Sequence, residues 1–270
     1  MERNIKRQLS LEEQHFILLE IAKAFDNVCR KNDIPYYMLG GTMLGAIRHK
    51  GFIPWDDDMD FGIPREHFDG LYVLLKKELP ERYRCRTVYD SKNIVLPFYK
   101  IEDITTQCDN HQYQNGEILG INIDIFPLDS CYLEDKNVDR VLWIVDKYAR
   151  IFTGAAGGSK FKNFIKAAIR FALPFSKIQI YKYIVHKSKA LKPGDQLANL
   201  YGRWKKKEVV PVQWYGNNKY YHFGDYEFCG FAEYDKYLSH LYGDYMSLPP
   251  ESERTTHATA VFQIINDDQE

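Results

Sequence analysis

Four carboxylates crowd into the segment Trp55-Asp-Asp-Asp-Met-Asp60. On an extended strand alternate side chains share a face. Asp58 and Asp60 then point one way, Asp56 continues their row, and Asp57 faces away. Two ionised carboxylates side by side repel, which raises the pKa of one of them, and a divalent cation removes that cost. Hard oxygen ligands at this spacing suit Mg²⁺ or Mn²⁺. Taken alone, an acidic cluster is more simply a solvated turn, so its surroundings must decide.

Those surroundings favour chemistry. Upstream, Gly40-Gly41-Thr42 falls where a strand is expected to turn into a helix. Glycines there let backbone N–H groups approach an anion, and a helix N-terminus favours negative charge. A glycine turn followed by a D-x-D strand is the pattern of the polymerase-β-type nucleotidyltransferase fold. In that fold a third Asp on another strand completes a metal site. Asp124, alternating with isoleucines in Gly120-Ile-Asn-Ile-Asp-Ile-Phe-Pro127, is the natural third. A carboxylate between Ile123 and Ile125 is seldom surface decoration. With Asp58 and Asp60 it could hold metal and accept a proton from an attacking hydroxyl.

The elements that must position these residues can be read from periodicity. Ser10-Leu-Glu-Glu13 is a capping box, and the apolar residues from Leu11 to Cys29 recur at helical spacing. That helix should end near residues 31–33. A short strand is expected at Tyr36–Leu39, then a helix Met43–Ile47 capped by Thr42, and a strand Asp58–Ile63. Pro64 suits the first turn of another helix. Strands are expected at Tyr83–Val88, Val95–Ile101 and Ile121–Phe126, and a helix over 137–153. The fold class is therefore α+β: a mixed sheet with flanking helices, a helical basic insertion, and a loop-rich C-terminal region. The division expected is a catalytic core over 1–135, a basic helical segment over 136–195, and an aromatic region over 196–270 that completes the same catalytic unit.

Composition narrows the class. The chain has 270 residues, 45% hydrophobic and 27% charged, which excludes collagen, coiled coil and global disorder. Its 36 basic and 37 acidic residues nearly cancel, so no nucleic-acid partner is expected. The five cysteines are far apart, and reduced thiols in a cytoplasmic protein are the simplest reading. The N-terminus lacks an apolar stretch of the signal-peptide kind, and no run is long enough to span a membrane. Residues 160–192 carry nine Lys or Arg and no acid. Phe161, Phe164, Ile165, Ala168, Ile169 and Ala172 form a stripe there, with Lys162, Lys166 and Arg170 largely off it. Such a helix can lie on the anionic inner face of the plasma membrane, or pack on the core with a solvated basic face.

The block from Gly40 through Gly45, Arg48 and Gly51 to Asp60 resembles the signature of the LicD family. Two further segments agree: Asp124-Ile-Phe-Pro-Leu-Asp129, and Tyr242-Gly-Asp-Tyr-Met246 with Leu248-Pro-Pro250, Arg254 and His257. The similarity spans roughly residues 10–260. LicD proteins are similar to nucleotidyltransferases in fold but act as phosphotransferases. They move phosphocholine, or a related phospho-alcohol, from a cytidine diphosphate donor to a sugar of a surface glycan such as teichoic acid, lipopolysaccharide or capsule. Fukutin-type animal relatives transfer ribitol phosphate.

The resemblance implies roles. Asp58, Asp60 and Asp124 match the metal-binding carboxylates, with Asp56 as an added ligand to Mg²⁺ or Mn²⁺. Gly41 and Thr42 match the turn that cradles donor phosphate. Arg48 is either a phosphate contact or a helix C-terminal cation, and Lys100 either a second contact or a strand-edge lysine. No role can be assigned to Arg254 or His257. Relatives with structural zinc use clustered cysteines, so no zinc is expected here. The expected reaction transfers phosphocholine from CDP-choline, or another CDP-alcohol, to a glycan acceptor, including lipid-linked ones. The competitors are a true nucleotidyltransferase that attaches NMP to a small molecule, and an inactive glycan- or choline-binding module. A choline headgroup calls for aromatic faces. Trp204, Trp214, Tyr215, Tyr220, Tyr221 and Phe223 are the candidates for such a cage.

Overall fold

The structure, a computed structural model, describes residues 5–91, 94–109, 119–152, 175–256 and 260–265, with residues 165, 168 and 169 between. After strand β1 (Ile5–Gln8) the capping box forms as expected. Ser10 Oγ accepts the Glu13 N–H at 3.2 Å, and Glu13 Oε2 accepts the Ser10 N–H at 2.8 Å. Helix α1 (Leu11–Lys31) buries Leu18, Ile21, Ala22, Phe25 and Cys29 as one stripe. Strand β2 (Tyr37–Met38) leads into helix α2 (Gly40–Arg48), and strand β3 (Asp60–Pro64) into helix α3 (Arg65–Glu78). Strands β4 (Tyr83–Arg86), β5 (Tyr99–Asp103), β6 (Thr106–Asp109) and β7 (Asn122–Cys131) follow, then helices α4 (Lys136–Phe152) and α5 (Lys177–Lys189).

The central sheet runs β2-β3-β7-β5-β4. The β3–β7 pair is parallel and the other pairs are antiparallel. Ile123, Ile125, Phe61 and Ile63 are fully buried, and α1 and α3 pack against β7. That apolar layer fixes the register, because a one-residue slip would turn the isoleucines out and the carboxylates in. The far end of β7 pairs with β8 (Gln196–Ala198), which pairs with β9 (Val209–Pro211). Residues beyond 195 are therefore joined to the core's longest strand.

Three expectations need correction. Helix α2 starts at Gly40, which adopts φ +47°, and its N-cap Leu39 makes no side-chain cap. The Thr42 hydroxyl lies inside the helix and accepts the Asp60 N–H at 2.8 Å instead. Strand β3 begins at Asp60, not Asp58, because the preceding chain is still in a loop held by an Asp56 N–H to Ile53 carbonyl bond of 2.9 Å. The C-terminal region is more regular than loop-rich. It holds helix α6 (Val212–Tyr215), a hairpin of β10 (Lys219–Phe223) and β11 (Tyr226–Gly230), helix α7 (Tyr234–Tyr242) and strand β12 (Ala260–Ile265). Strand β12 joins β1 and β6 in a small second sheet. All five cysteines are free thiols. Lys162, Lys166, Arg170 and, of their expected stripe, Phe161, Phe164 and Ala172 lie outside the described residues, as does His257.

Candidate active site

Strand register builds the centre of the site. Asp60 on β3 pairs with Asp124 on β7, and Asp124 pairs with Lys100 on β5. The three residues thus form one row across the sheet, on the face opposite the buried isoleucines. Lys100 Nζ donates to Asp124 Oδ1 at 2.5 Å and to Asn122 Oδ1 at 3.0 Å. Burial pushes the Asp60 carboxyl well above the ordinary carboxylate range, and Asp58 and Asp124 add to the shift. Burial also raises Asp124, with Lys100 opposing it.

A cleft of about 920 Å³ opens over this row. Gly41, Arg48, Asp56, Asp58, Asp60 and Asp124 all line it, whereas Asp57, Thr42 and Lys100 do not. Lys100 stands behind Asp124, and Thr42 serves the backbone of Asp60. Gly41 has a steric reason to lack a side chain, since a Cβ there would lie 2.9 Å from Asp56 Oδ2. The Gly40 N–H is already bound by the Tyr237 hydroxyl at 2.9 Å, so that amide is not offered to a ligand. Arg48 is the last residue of α2 and lines the cleft, but its Nη1 donates to the Tyr245 carbonyl at 2.8 Å and to the Ser247 carbonyl at 3.3 Å.

The acidic loop is anchored from α1. His15 Nε2 donates to the Asp56 carbonyl at 2.6 Å, and its ring stacks on Phe52 at 4.1 Å. Burial lowers the His15 pKa, against the pull of the Asp56 carbonyl and of Asp57 and Glu12. Opposite, the Tyr242–Thr255 segment closes the rim, with Arg254 5.0 Å from the centre of the Trp55 ring. This places Arg254 as a clamp between the tail and the acidic loop.

Only Trp204 of the six expected cage aromatics lines the cleft. Tyr215 is buried against Tyr37 and Phe231, Phe223 packs on Phe52 and Phe228, and Tyr220 lies under the Arg30 guanidinium. Tyr221 donates to the Phe231 carbonyl at 2.6 Å and Trp214 meets His240. These five pack into or against the main hydrophobic core where the hairpin and α7 meet it. The aromatic walls of the cleft come instead from Trp55, Phe98, Phe126, Tyr201, Trp204 and Tyr242.

Sequence reasoning missed Glu208. Its carboxyl lines the cleft, 7% exposed, and accepts the Trp204 N–H at 2.7 Å and Asn199 Nδ2 at 2.6 Å. Burial pushes it up to about 7, against those two bonds. Three preceding lysines disguise it as part of a solvated charged turn. The usable signal was the apolar Val209-Val210 that follows directly, which marks entry into the core.

Asp56, Asp58, Asp60 and Asp124 bring carboxylate oxygens to the cleft, the donor type that a hard divalent cation takes. Among the described residues, no three His, Cys, Asp or Glu side chains stand converged as a finished ligand set. Lys100 supplies the compensating charge at Asp124 in this form.

A profile of the LicD/FKTN/FKRP nucleotidyltransferase domain matches residues 33–154. The chain is 30% identical over 267 residues to the lipopolysaccharide cholinephosphotransferase LicD of Haemophilus influenzae, covering 93% of this chain and 97% of that one. It is 28% identical over 188 residues to an uncharacterised protein of Rickettsia typhi, covering 63% and 59%. It is also 28% identical over 110 residues to the human ribitol 5-phosphate transferase FKRP, covering 41% of this chain and 20% of that one.

Proposed function

Because the chain belongs to the LicD family and is a LicD-type phosphotransferase, we propose that it transfers phosphocholine from CDP-choline to a sugar hydroxyl of a glycan such as lipopolysaccharide. The observation that carries this reading is the pair Asp60–Asp124, backed by Lys100, on the floor of a cleft large enough for a nucleotide. The bond between the choline-bearing phosphorus and the bridging oxygen breaks. The same phosphorus joins the acceptor oxygen, and CMP leaves. The hydroxyl proton passes to the Asp124 carboxylate, whose basicity burial raises while the Lys100 ammonium opposes that shift. Arg48 and Arg203 line the cleft and offer positive charge to the diphosphate. Asp58, Asp60 and Asp124, with Asp56 beside them, would hold Mg²⁺ or Mn²⁺, which when bound neutralises diphosphate and transition-state charge.

Incubation with a panel of CDP-alcohols and Mg²⁺ tests this. Release of CMP with transfer to a sugar supports it. Attachment of NMP to the acceptor would make the protein a nucleotidyltransferase instead.

The same reading places the acceptor at an anionic membrane surface reached through residues 160–192. No helix among the described residues is long and apolar enough to cross a membrane. Within α5, Lys189 is paired with Asp69 and Lys177 donates to the Ser91 carbonyl, so attraction rests on the other charges. Pelleting with anionic vesicles at low salt, reversed at about 0.5 M salt, is the expected result.

A further inference from the structure

We propose that the corner between Trp204 and Tyr242, with Glu208 buried beside it, seats the cationic headgroup of the donor. This rests on reading the cleft as a CDP-alcohol site, and it names what makes one alcohol preferred over another.

Trp204 and Tyr242 come from separate elements, the turn before the Lys205–Glu208 3₁₀ segment and the end of α7. Their ring centres are 5.4 Å apart and their planes cross at 84°. Two aromatic walls at a right angle are half of a box for a quaternary ammonium. Such a group cannot donate hydrogen bonds and is held by ring faces. Glu208 lines the same cleft, and its recorded partners are two N–H donors. Among the described residues no lysine or arginine lies within ion-pair distance of it. A buried carboxylate with neutral partners leaves a negative charge that a bound cation would balance.

The indole already draws cations. Lys207 Nζ lies 5.7 Å from a Trp204 ring centre and Arg203 Cζ 6.0 Å. Both stand at the outer limit of such contacts. Lys207 is also tied to the Leu241 carbonyl. A trimethylammonium brought in on the donor can approach more closely than either. The Tyr242 hydroxyl faces the Gly40 turn, where a Cβ would lie 3.6 Å from it, so the corner opens on the same cleft as the acidic row and Arg48.

The test separates charge from shape. The full-length protein is titrated with choline and with its uncharged carbon isostere, in which a tert-butyl group replaces trimethylammonium. Choline is expected to bind about tenfold more tightly or better. Trp204→Leu and Glu208→Gln should each collapse that ratio towards one, Trp204→Phe should keep part of it, and Trp214→Leu should keep all of it. Trp204 is half-exposed, so its loss does not threaten the core. Equal binding of the two probes by the wild type overturns the proposal. So does an undiminished ratio in folded Trp204→Leu protein. CMP release from CDP-choline is scored separately. Preference for choline without CMP release would sink the transfer reading and leave the seat standing. CMP release without any preference for choline would do the reverse.

Discussion

Lys100 Nζ lies 2.5 Å from Asp124 Oδ1, and the two residues are direct cross-strand partners. Asp60 pairs with Asp124 from the other side, so one cation answers a row of carboxylates. Lys100→Met removes it and leaves the half-buried Asp124 carboxylate without its ion-pair partner. CMP release should fall by about 10²-fold or more, with the circular dichroism of the wild type, and Lys100→Arg should restore part of the loss. A Lys100→Met enzyme working at the wild-type rate would reduce the lysine to strand-edge packing.

Asp58→Asn and Asp60→Asn should each cost at least about 10³-fold in rate, the loss expected when a carboxylate that clamps metal and phosphate goes. Neither should lower the thermal midpoint, because each removes a half-buried charge that repels its neighbours. Asp57→Asn should stay within a fewfold of wild type, since Asp57 does not line the cleft. Rates and melting curves measured on the three variants decide this together. Equal losses at Asp57 and Asp58 would undo the distinction.

The acidic row was legible because it depends on strand alternation. Ile123 and Ile125 must go inward, so Asp124 must go outward, and the same reasoning places Asp60. Asp58 was assigned to the right side for an incomplete reason, because it precedes the strand rather than continuing it. The Gly40-Gly41 turn was legible as a close approach, but which group approaches Gly41 depended on tertiary folding, and it proved to be Asp56. The aromatics were misjudged because Tyr and Trp serve cores and ligand sites alike. Only the packing of the β10–β11 hairpin on α2 and β2 shows which of them are spoken for. Glu208 was hidden because burial, not residue type, makes it unusual.

Glu208 should leave a mark on stability against pH. Its folded-state pKa of about 7 lies above its ordinary value of 4.5, so the folded state binds the proton more tightly. The resulting stability is fully present below pH 4.5 and is lost as pH rises through 7. The full swing is about 3 kcal/mol. Glu208→Gln cannot ionise and should flatten that window. It should be close to wild type at the acid end and more stable than wild type at the alkaline end. Denaturant titrations at several pH values read this directly, and parallel curves for the two proteins would refute the assignment.

Asp26 offers a test of the scaffold apart from the chemistry. It is fully buried on α1 and accepts hydrogen bonds from the Tyr36 hydroxyl at 2.5 Å, the Tyr226 hydroxyl at 2.8 Å and Arg30 Nε at 2.6 Å. The Tyr36 hydroxyl in turn accepts the Cys229 N–H at 3.3 Å. One carboxylate thus joins α1, the entry to β2 and the β10–β11 hairpin. Asp26→Ala strands the buried Tyr36 hydroxyl, while Arg30, 44% exposed, keeps water and the Glu227 carbonyl, at a cost of about 2–4 kcal/mol. For a chain of this size that lowers the melting midpoint by on the order of 10 °C. Tyr226→Phe removes one donor near the surface and should cost about 1 kcal/mol. Neither change touches the cleft, so CMP release well below the melting range should hold its wild-type rate. An Asp26→Ala protein that melts with the wild type would mean that water replaces the carboxylate at this joint. One that melts normally but loses turnover would place Asp26 in the chemistry rather than the frame.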